Sequence, residues 1–441
     1  MGEKNLKFLK NKNFDFFYKE LNSVFNYNYK DVRRYQFLKI KELIEYAIKN
    51  IQFYKQIYKD SKIEISSFNK LDDLNKIPFL TKNIIKENST KFRNKKIISK
   101  DLLYMTTGGS TGNPLKIPMT KEYKSYSLAS TFFYLNHFGC NPIKDKSVRL
   151  HGDIIKKNKG FFQIIKNKLL LSSNKITNDN CKKYHYLLSK FKPKYIHAYP
   201  SAVYLLAKLL DNNQLTINTP IKYTFTDSET LYPHQKKIIE KVFKTQVLSI
   251  YGHTEGAILG MNLKNSDKIH IHPFIGFCEL IDGNGEIIKK YNQRGEIVVS
   301  GFLNKAFPLI RYRTGDFAAY VKIPRGKNLF NYKVFKAIDG RKQDFLINKK
   351  NKSIPIGPML FDYNINWSEI EKFQIIQNQK GKLIFCIKLQ YKNKFALKTF
   401  EKKINQLFNN EIDIKIKIVK EIKNTKRGKF RYFVQNIKKL N

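Results

Sequence analysis

Val247-Leu248-Ser249-Ile250-Tyr251-Gly252-His253-Thr254-Glu255-Gly256 is an apolar run that stops at a glycine-flanked turn. The run predicts a strand and the turn places polar side chains at its end. Working outward, strand-like runs recur at Tyr195–Ala198 and Tyr223–Thr226 upstream, and at Cys278–Ile281 and Glu296–Ser300 downstream. Between the first two, Val203, Leu205, Leu206, Leu209 and Leu210 follow Pro200-Ser201 with helical spacing. Strands that alternate with helical segments predict an α/β body. Asp282-Gly283-Asn284-Gly285 predicts a tight hairpin turn.

Further out, apolar positions Phe37, Ile40, Ile44, Ala47, Ile51 and Tyr54 predict one long helix over residues 31–60. Pro78 excludes a helix at its own position, and Thr81 is placed to cap a short helix through Ile84 and Ile85. A helix is expected from Thr120 to His137. Past residue 345 the pattern becomes strand, strand, helix, strand, at Phe373–Gln377, Leu383–Gln390, Ala396–Phe408 and Ile412–Val419. The chain of 441 residues fits one large domain followed by a small α+β appendage.

The net charge is +47, from 83 Lys plus Arg against 36 Asp plus Glu, yet only 11 of the basic residues are Arg. Base-specific nucleic-acid readers favour Arg for its bidentate fork. The lysines here are dispersed, so a solvated surface is expected, with no specific nucleic-acid partner. An apolar fraction of 42% supports a large core and excludes global disorder. No stretch of 18 apolar residues exists, so no membrane-spanning segment is expected. The N-terminal residues carry no apolar signal core, and a cytoplasmic location is expected. Cys140, Cys181, Cys278 and Cys386 lie far apart, which points to reduced thiols.

Five motifs carry chemistry. In Thr106-Thr107-Gly108-Gly109-Ser110-Thr111-Gly112-Asn113-Pro114, adjacent glycines let successive N–H groups turn toward one anion, and hydroxyls add donors. The loop suits phosphate oxygens but lacks the Gly-Lys-Ser/Thr of a Walker loop. In the quoted stretch, Tyr251 at a strand end is placed to stack on a base, while Thr254 and Glu255 offer oxygens to a phosphate and a magnesium ion. Arg311-Tyr312-Arg313-Thr314-Gly315-Asp316 and Asp339-Gly340-Arg341 follow. A carboxylate after a glycine turn suits ribose hydroxyls, and an arginine suits phosphate or ribose oxygens. The last motif is Lys426-Arg427-Gly428-Lys429-Phe430-Arg431.

In this order and spacing the motifs resemble the adenylate-forming superfamily. Together with Ala198-Tyr199-Pro200-Ser201 and Asp227-Ser228-Glu229-Thr230-Leu231, they resemble its phenylacetate–CoA ligase family, in the CapK-like branch of capsular-polysaccharide clusters. The resemblance runs from about residue 35 to the end. It implies a large multi-sheet adenylate-forming domain over 1–343 and a small C-terminal lid domain over 344–441, with Asp344 at the hinge.

By resemblance, Thr106, Thr107, Gly108, Gly109, Ser110, Thr111 and Gly112 would hold the β- and γ-phosphates of ATP. Tyr251 would stack on adenine, Thr254 would meet the α-phosphate and Glu255 would serve Mg2+. Asp316 would bind the ribose with Arg341 assisting, and Lys429 would bridge carboxylate and AMP during adenylation. The implied reaction activates a small-molecule carboxylate as an acyl-adenylate, then passes it to a thiol or amine, CoA or a carrier among the candidates. Adenylyl transfer to an acceptor, or a noncatalytic ligase fold that binds polyanions or a membrane surface through its lysines, are the alternatives. His253, His270, His272 and Cys278 invite a metal-site reading, against which a structural role is preferred, because Cys278 sits in a strand with no cysteine nearby.

Overall fold

The computed structural model describes residues 12–23, 27–107, 115–152, 155, 160–264, 266–323, 332–341, 345–355, 370–389, 396–408, 411–425 and 429–437. Along the chain, α1 (Lys12–Ser23), α2 (Tyr29–Asn50), α3 (Gln52–Asp60) and α4 (Lys82–Glu87) precede β1 (Leu102–Thr106), β2 (Lys116–Thr120) and α5 (Lys121–His137). Then come β3 (Ser147–His151), β4 (Phe162–Ile165), β5 (Lys168–Ser172), α6 (Asn178–Phe191), β6 (Tyr195–Ala198), α7 (Pro200–Asn212), β7 (Tyr223–Asp227) and α8 (Pro233–Phe243). Strands β8 (Gln246–Gly252), β9 (Leu259–Asn262), β10 (Ile269–Ile271), β11 (Gly276–Ile281), β12 (Arg294–Gly301), β13 (Tyr312–Tyr320) and β14 (Lys333–Arg341) follow. The C-terminal part holds β15 (Phe345–Ile347), β16 (Ser353–Pro355), β17 (Ile370–Gln379), β18 (Lys382–Leu389), α9 (Leu397–Leu407), β19 (Asp413–Ile418) and β20 (Phe433–Gln435).

The expected α/β architecture is present, a large domain body with a small α+β portion at the C-terminus. The single helix expected over 31–60 needs one correction. It breaks at Ile51, which is extended (φ −119°, ψ 114°) and both ends α2 and starts α3. Ile51 is buried, and the next residue but one, Phe53, donates its N–H to Lys91 O at 3.1 Å instead of continuing one straight ladder. Upstream, Asn28 and Asp31 form a reciprocal capping box that starts α2. Thr81 caps α4 by accepting from Ile84 N–H at 3.2 Å, as its position predicts.

Two compact units form: Met1–Lys144 with Leu248–Ile338, and Asp145–Val247 with Asp339–Asn441. The units do not follow the linear boundary at 343/344. In the first unit the strands run β11-β12-β13-β14-β10-β9-β8, with β1 and β2 as a separate antiparallel hairpin. Its core joins Ile44, Leu74 and Phe92 from the N-terminal segments to Ile297, Val299 and Phe335 of the sheet.

In the second unit the order β7-β6-β3-β5 is parallel throughout, with β4 antiparallel at the edge. Helices α6, α7 and α8 cover it with Tyr184, Leu188, Val203, Leu206, Ile239 and Phe243. The same unit contains the sheet β19-β18-β17-β20, whose own core includes Phe373, Phe385, Ile404 and Phe433. Two polar contacts, one buried and one half-buried, tie this sheet to the helices. Lys208 Nζ donates to Ile370 O at 2.5 Å, and Gln235 Nε2 donates to Tyr432 OH at 2.7 Å. Burial brings the Lys208 ammonium down to about 8.

Candidate active site

The chemistry-bearing residues fall into two groups, one in each unit. In the first unit, β8 delivers Tyr251 and ends in a turn closed by Gly256 N–H to His253 O at 3.0 Å. Thr254 and Glu255 lie inside that turn. Gly256 takes φ +73°, where a Cβ would sit 1.6 Å from Tyr123 OH. Glycine is therefore dictated both by backbone conformation and by the close approach of a tyrosine. The Tyr123 hydroxyl donates to Gly256 O at 3.1 Å and fixes the turn against α5.

Strand β13 delivers Asp316 through a bulge. Val298 pairs with Arg313 and Glu296 with Phe317, so Thr314, Gly315 and Asp316 all oppose the single residue Ile297. Gly315 takes φ +76°. Thr314 Oγ1 donates to Ile297 O at 2.7 Å and accepts from Asp316 N–H at 3.1 Å, while Gly315 N–H donates to Glu296 Oε1 at 3.1 Å. The bulge is thus held by its own side chains, and it presents Asp316 to Tyr251, whose hydroxyl donates to Asp316 Oδ2 at 2.9 Å. Residues separated by 65 positions in sequence meet here.

Glu255 is close to the same strand. Tyr312 OH donates to Glu255 Oε1 at 3.1 Å, and His253 Nδ1 lies 3.2 Å from Oε2, within ion-pair range but without hydrogen-bond alignment. Burial pushes this carboxyl up, but His253, the backbone and the Tyr312 hydroxyl outweigh it and hold it down at about 2. Glu255 is therefore a carboxylate at any physiological pH. A half-buried, ionised oxygen donor suits a hard cation such as Mg2+, which takes one or two carboxylates and fills its other positions with phosphate oxygens and water.

The arginines of the same motif do other work. Arg311 is buried at φ +48°, with its guanidinium donating to Asn75 O at 3.1 Å, Ile77 O at 2.7 Å and Glu279 Oε2 at 3.3 Å. It locks the segment around Pro78 to the sheet. Arg313 pairs with Glu296 beside the bulge. Neither points to a ligand role.

Thr106 ends β1, and Thr107 pairs with Leu115. Leu115 N–H donates to Thr107 Oγ1 at 2.8 Å and Thr107 N–H donates to Leu115 O at 2.9 Å. Gly108, Gly109, Ser110, Thr111 and Gly112 lie outside the described residues, as do Asp344 and the side chain of Arg341. His270 and His272 are buried on and beside β10, and His272 Nδ1 accepts from Phe274 N–H at 3.2 Å amid Phe133 and Tyr134.

The second unit holds Lys429. Its N–H donates to Thr425 Oγ1 at 3.2 Å, and Thr425 N–H donates to Lys429 O at 2.8 Å. Its ammonium reaches Ser228 O at 3.5 Å and lies 5.7 Å from the Tyr199 ring centroid. Glu229 sets this seat. One oxygen accepts from Phe430 N–H at 2.9 Å and the other from Ser201 N–H at 3.0 Å in the first turn of α7.

Beside Lys429 lies a group of which only Asp227 stands in a quoted motif, and there without a role of its own. His151, His197 and Asp227 sit at the carboxyl ends of β3, β6 and β7, three adjacent parallel strands. His197 Nε2 is 2.7 Å from Asp227 Oδ2, and His151 Nε2 is 3.6 Å from Oδ1. His151 also meets the Tyr199 ring edge-on at 4.4 Å. Burial draws the His151 imidazole down to about 4, and the two histidines, against burial, hold the Asp227 carboxyl well below its ordinary value. The available signal was positional: each residue ends or nearly ends an apolar run, where α/β sheets place their ligands.

Residues 346–436 match the family model of the CapK C-terminal domain. The chain is 27% identical over 446 aligned residues to protein CapK of Staphylococcus aureus, covering 98% of this chain and 95% of that one. The fold is similar to the crystal structure of 2-hydroxyisobutyryl-CoA ligase in the postadenylation state in complex with R3-HIB-AMP. The TM-score is 0.71 at 15% identity, over 90% of this chain and 88% of that one. It is also similar to the anthranilate CoA ligase AuaEII in complex with anthranoyl-AMP, with a TM-score of 0.52 at 16% identity, over 80% and 72% of the two chains. Among the described residues, no helix is long and apolar enough to cross a membrane. The chain is thus CapK-like over nearly its whole length and has the fold of the adenylate-forming ligases.

Proposed function

We propose that the protein is an ATP-dependent, AMP-forming ligase of phenylacetate–CoA ligase type that activates a small carboxylic acid as its acyl-adenylate. The observation that carries this reading is the meeting of Tyr251 and Asp316 at 2.9 Å beside the turn that bears Thr254 and Glu255. An aromatic ring, a ribose-type carboxylate and a carboxylate held ionised are the parts that a nucleotide with its magnesium needs. The adenylate-forming relatives, some of them holding acyl-AMP, support it.

In this reading the loop from Thr106 to Gly112 cradles the β- and γ-phosphates, and Tyr251 stacks on adenine. Thr254 meets the α-phosphate, Glu255 would hold Mg2+, and Asp316 and Arg341 take the ribose. Bound magnesium would neutralise phosphate charge. A carboxylate oxygen of the acid attacks the α-phosphorus, the bond to the β-phosphate oxygen breaks and pyrophosphate leaves. Lys429 offsets the charge that builds there, and positioning supplies most of the remaining acceleration. A thiol such as CoA, a carrier, or an amine then attacks the acyl carbon and AMP departs. Residues 344–441 act as the lid, turning about Asp344 between the two steps, and the setting is surface polysaccharide biosynthesis inside the cell.

Two measurements test the reading. ATP with magnesium should raise the unfolding temperature by mass action, and one acid in a carboxylate panel should support ATP–pyrophosphate exchange. Absence of any thermal shift with ATP, AMP and a nonhydrolysable acyl-AMP mimic would remove the enzyme reading. It would leave the lysine-rich surface as the functional one, whose polyanion binding should fade at moderate salt. Label left on a macromolecular acceptor from ATP radiolabelled at its α-phosphate would instead favour adenylyl transfer.

A further inference from the structure

We infer that His151, His197 and Asp227 form a binding site for a divalent transition-metal ion, zinc by ligand preference, in the second unit. The proposal is independent of the nucleotide reading. One ligand atom from each residue lies within 4.8 Å of the others, a nitrogen, a nitrogen and an oxygen. That mixed set is characteristic of zinc and its neighbours, whereas magnesium and calcium want oxygen throughout.

The fold converges these atoms. Register sets Leu150 opposite Ala198 and Ala198 opposite Thr226. His151 and Asp227 each follow one of these residues and His197 precedes one, so all three share the opposite face of the sheet from Leu150, Ala198 and Thr226. They stand at its carboxyl edge.

A second observation points to a ligand. His151 is 4% exposed, and among the described residues neither of its ring nitrogens finds a hydrogen-bond partner. Asp227 Oδ1 has none either. Burying three such atoms unsatisfied is costly, and natural structures rarely do so without a reason. The separation between His151 Nε2 and Asp227 Oδ1, 3.6 Å, is too long for a hydrogen bond. It is close to the separation of about 3.3 Å expected for two ligands that each lie about 2.0–2.1 Å from one tetrahedral ion.

His197 Nε2 and Asp227 Oδ2 stand closer, at 2.7 Å, a distance that suits a shared proton. Binding would replace that hydrogen bond with two bonds to the ion, leave the imidazole N–H on Nδ1 and open the pair by several tenths of an ångström. Three protein ligands leave one tetrahedral position open, as in zinc sites that exchange a ligand. The open position would lie near Tyr199 and hence near Lys429.

The test uses the full-length protein, stripped with chelator and then equilibrated with Zn2+ or Co2+. The expected result is one ion per chain after gel filtration. Co2+ should give visible d–d bands of a four- or five-coordinate site, without the sulfur-to-cobalt charge-transfer band that a cysteine ligand such as Cys278 would add. His151→Gln and Asp227→Asn should each weaken binding by at least about 100-fold, since even outer-shell partners are worth 10–100-fold. His185→Gln, on α6 at the surface, should not. Substoichiometric metal in the wild-type chain would overturn the proposal, as would a sulfur band. Undiminished binding in both variants would do the same. Should a variant fail to fold, wild-type stoichiometry and the Co2+ spectrum decide alone.

Discussion

The turn after β8 and the carboxyl edge of β3, β6 and β7 solve the same problem in different ways. Both hold carboxylates and histidines in half-buried or buried surroundings. Around the turn, three tyrosine hydroxyls each have an acceptor within the protein: Tyr251 in Asp316, Tyr312 in Glu255, Tyr123 in Gly256. These bonds fix the two carboxylates and the turn without a ligand. At the β3 edge, His151 and Asp227 Oδ1 find no hydrogen bond among the described residues, and Lys429 is seated by a backbone carbonyl and a ring face. The first region is held by its own hydrogen bonds, and the second keeps buried polar atoms without one among the described residues. Preorganised donors cost nothing to rearrange at the moment of reaction, whereas an incompletely satisfied cluster costs stability until something binds.

The contrast is broken most severely at Lys429. If the second region supplies charge only during reaction, Lys429→Ala should leave ATP affinity nearly unchanged. It should slow pyrophosphate exchange by about 10²–10³-fold, the usual loss for one well-placed transition-state donor. Transfer from a supplied acyl-adenylate should persist. Lys402→Ala, exposed on α9, should change neither. Exchange at the wild-type rate in Lys429→Ala would place the adenylation chemistry elsewhere and remove the lid assignment with it.

The first region is sensitive at Gly256. A methyl group there meets Tyr123 OH at 1.6 Å and its ring carbon at 2.7 Å, on a backbone at φ +73°. Gly256→Ala should destabilise by about 1–3 kcal/mol through strain at a left-handed position alone, and more if Tyr123 cannot move. Gly283 sits in an exposed turn without a left-handed φ, and a Cβ there would meet nothing within 4 Å. Gly283→Ala should stay within about 0.5 kcal/mol of wild type. Thermal and urea unfolding check both. Equal stability of the two variants would show that the turn is not rigid.

Local signals made the first region readable in sequence. Tyr251, Thr254, Glu255 and Asp316 stand in short motifs where the residue types and the glycines announce turns, and the structure brings Tyr251 to Asp316. Strand positions followed from apolar runs for the same reason. Three things were not readable. The break at Ile51 falls inside an unbroken helical pattern, because burial of Ile51, and not a Pro or Gly, turns the chain. Arg311 stands in a motif read for its ligand-binding residues, and its burial against Glu279 and two carbonyls, which makes it a latch, has no signature there. His151, His197 and Asp227 are 46 and 30 residues apart, the histidines outside every quoted motif and Asp227 inside one that says nothing of them, and only parallel pairing of three strands brings them together. Sequence motifs report what one loop can do, and constellations built across strands need the register.

The gentlest change that sharpens the comparison is Tyr312→Phe, which keeps a buried ring and removes one hydroxyl. Tyr312 OH donates to Glu255 Oε1 at 3.1 Å and helps, with His253 and the backbone, to hold Glu255 at about 2 against the upward push of burial. A carboxyl held below its ordinary 4.5 stabilises the fold in full above that value, and the contribution is lost as pH falls through about 2. Removing the hydroxyl should let the Glu255 pKa rise. The variant should therefore be less stable than wild type by about 1 kcal/mol at neutral pH, the net worth of one hydrogen bond. The gap should narrow as pH drops from about 4.5 toward 2, because a protonated Glu255 no longer depends on the donor. Urea midpoints for both proteins across that window measure the gap. A gap that stays constant would mean that Tyr312 acts through packing alone, and that the first region owes its charged carboxylate to His253 and the backbone without it.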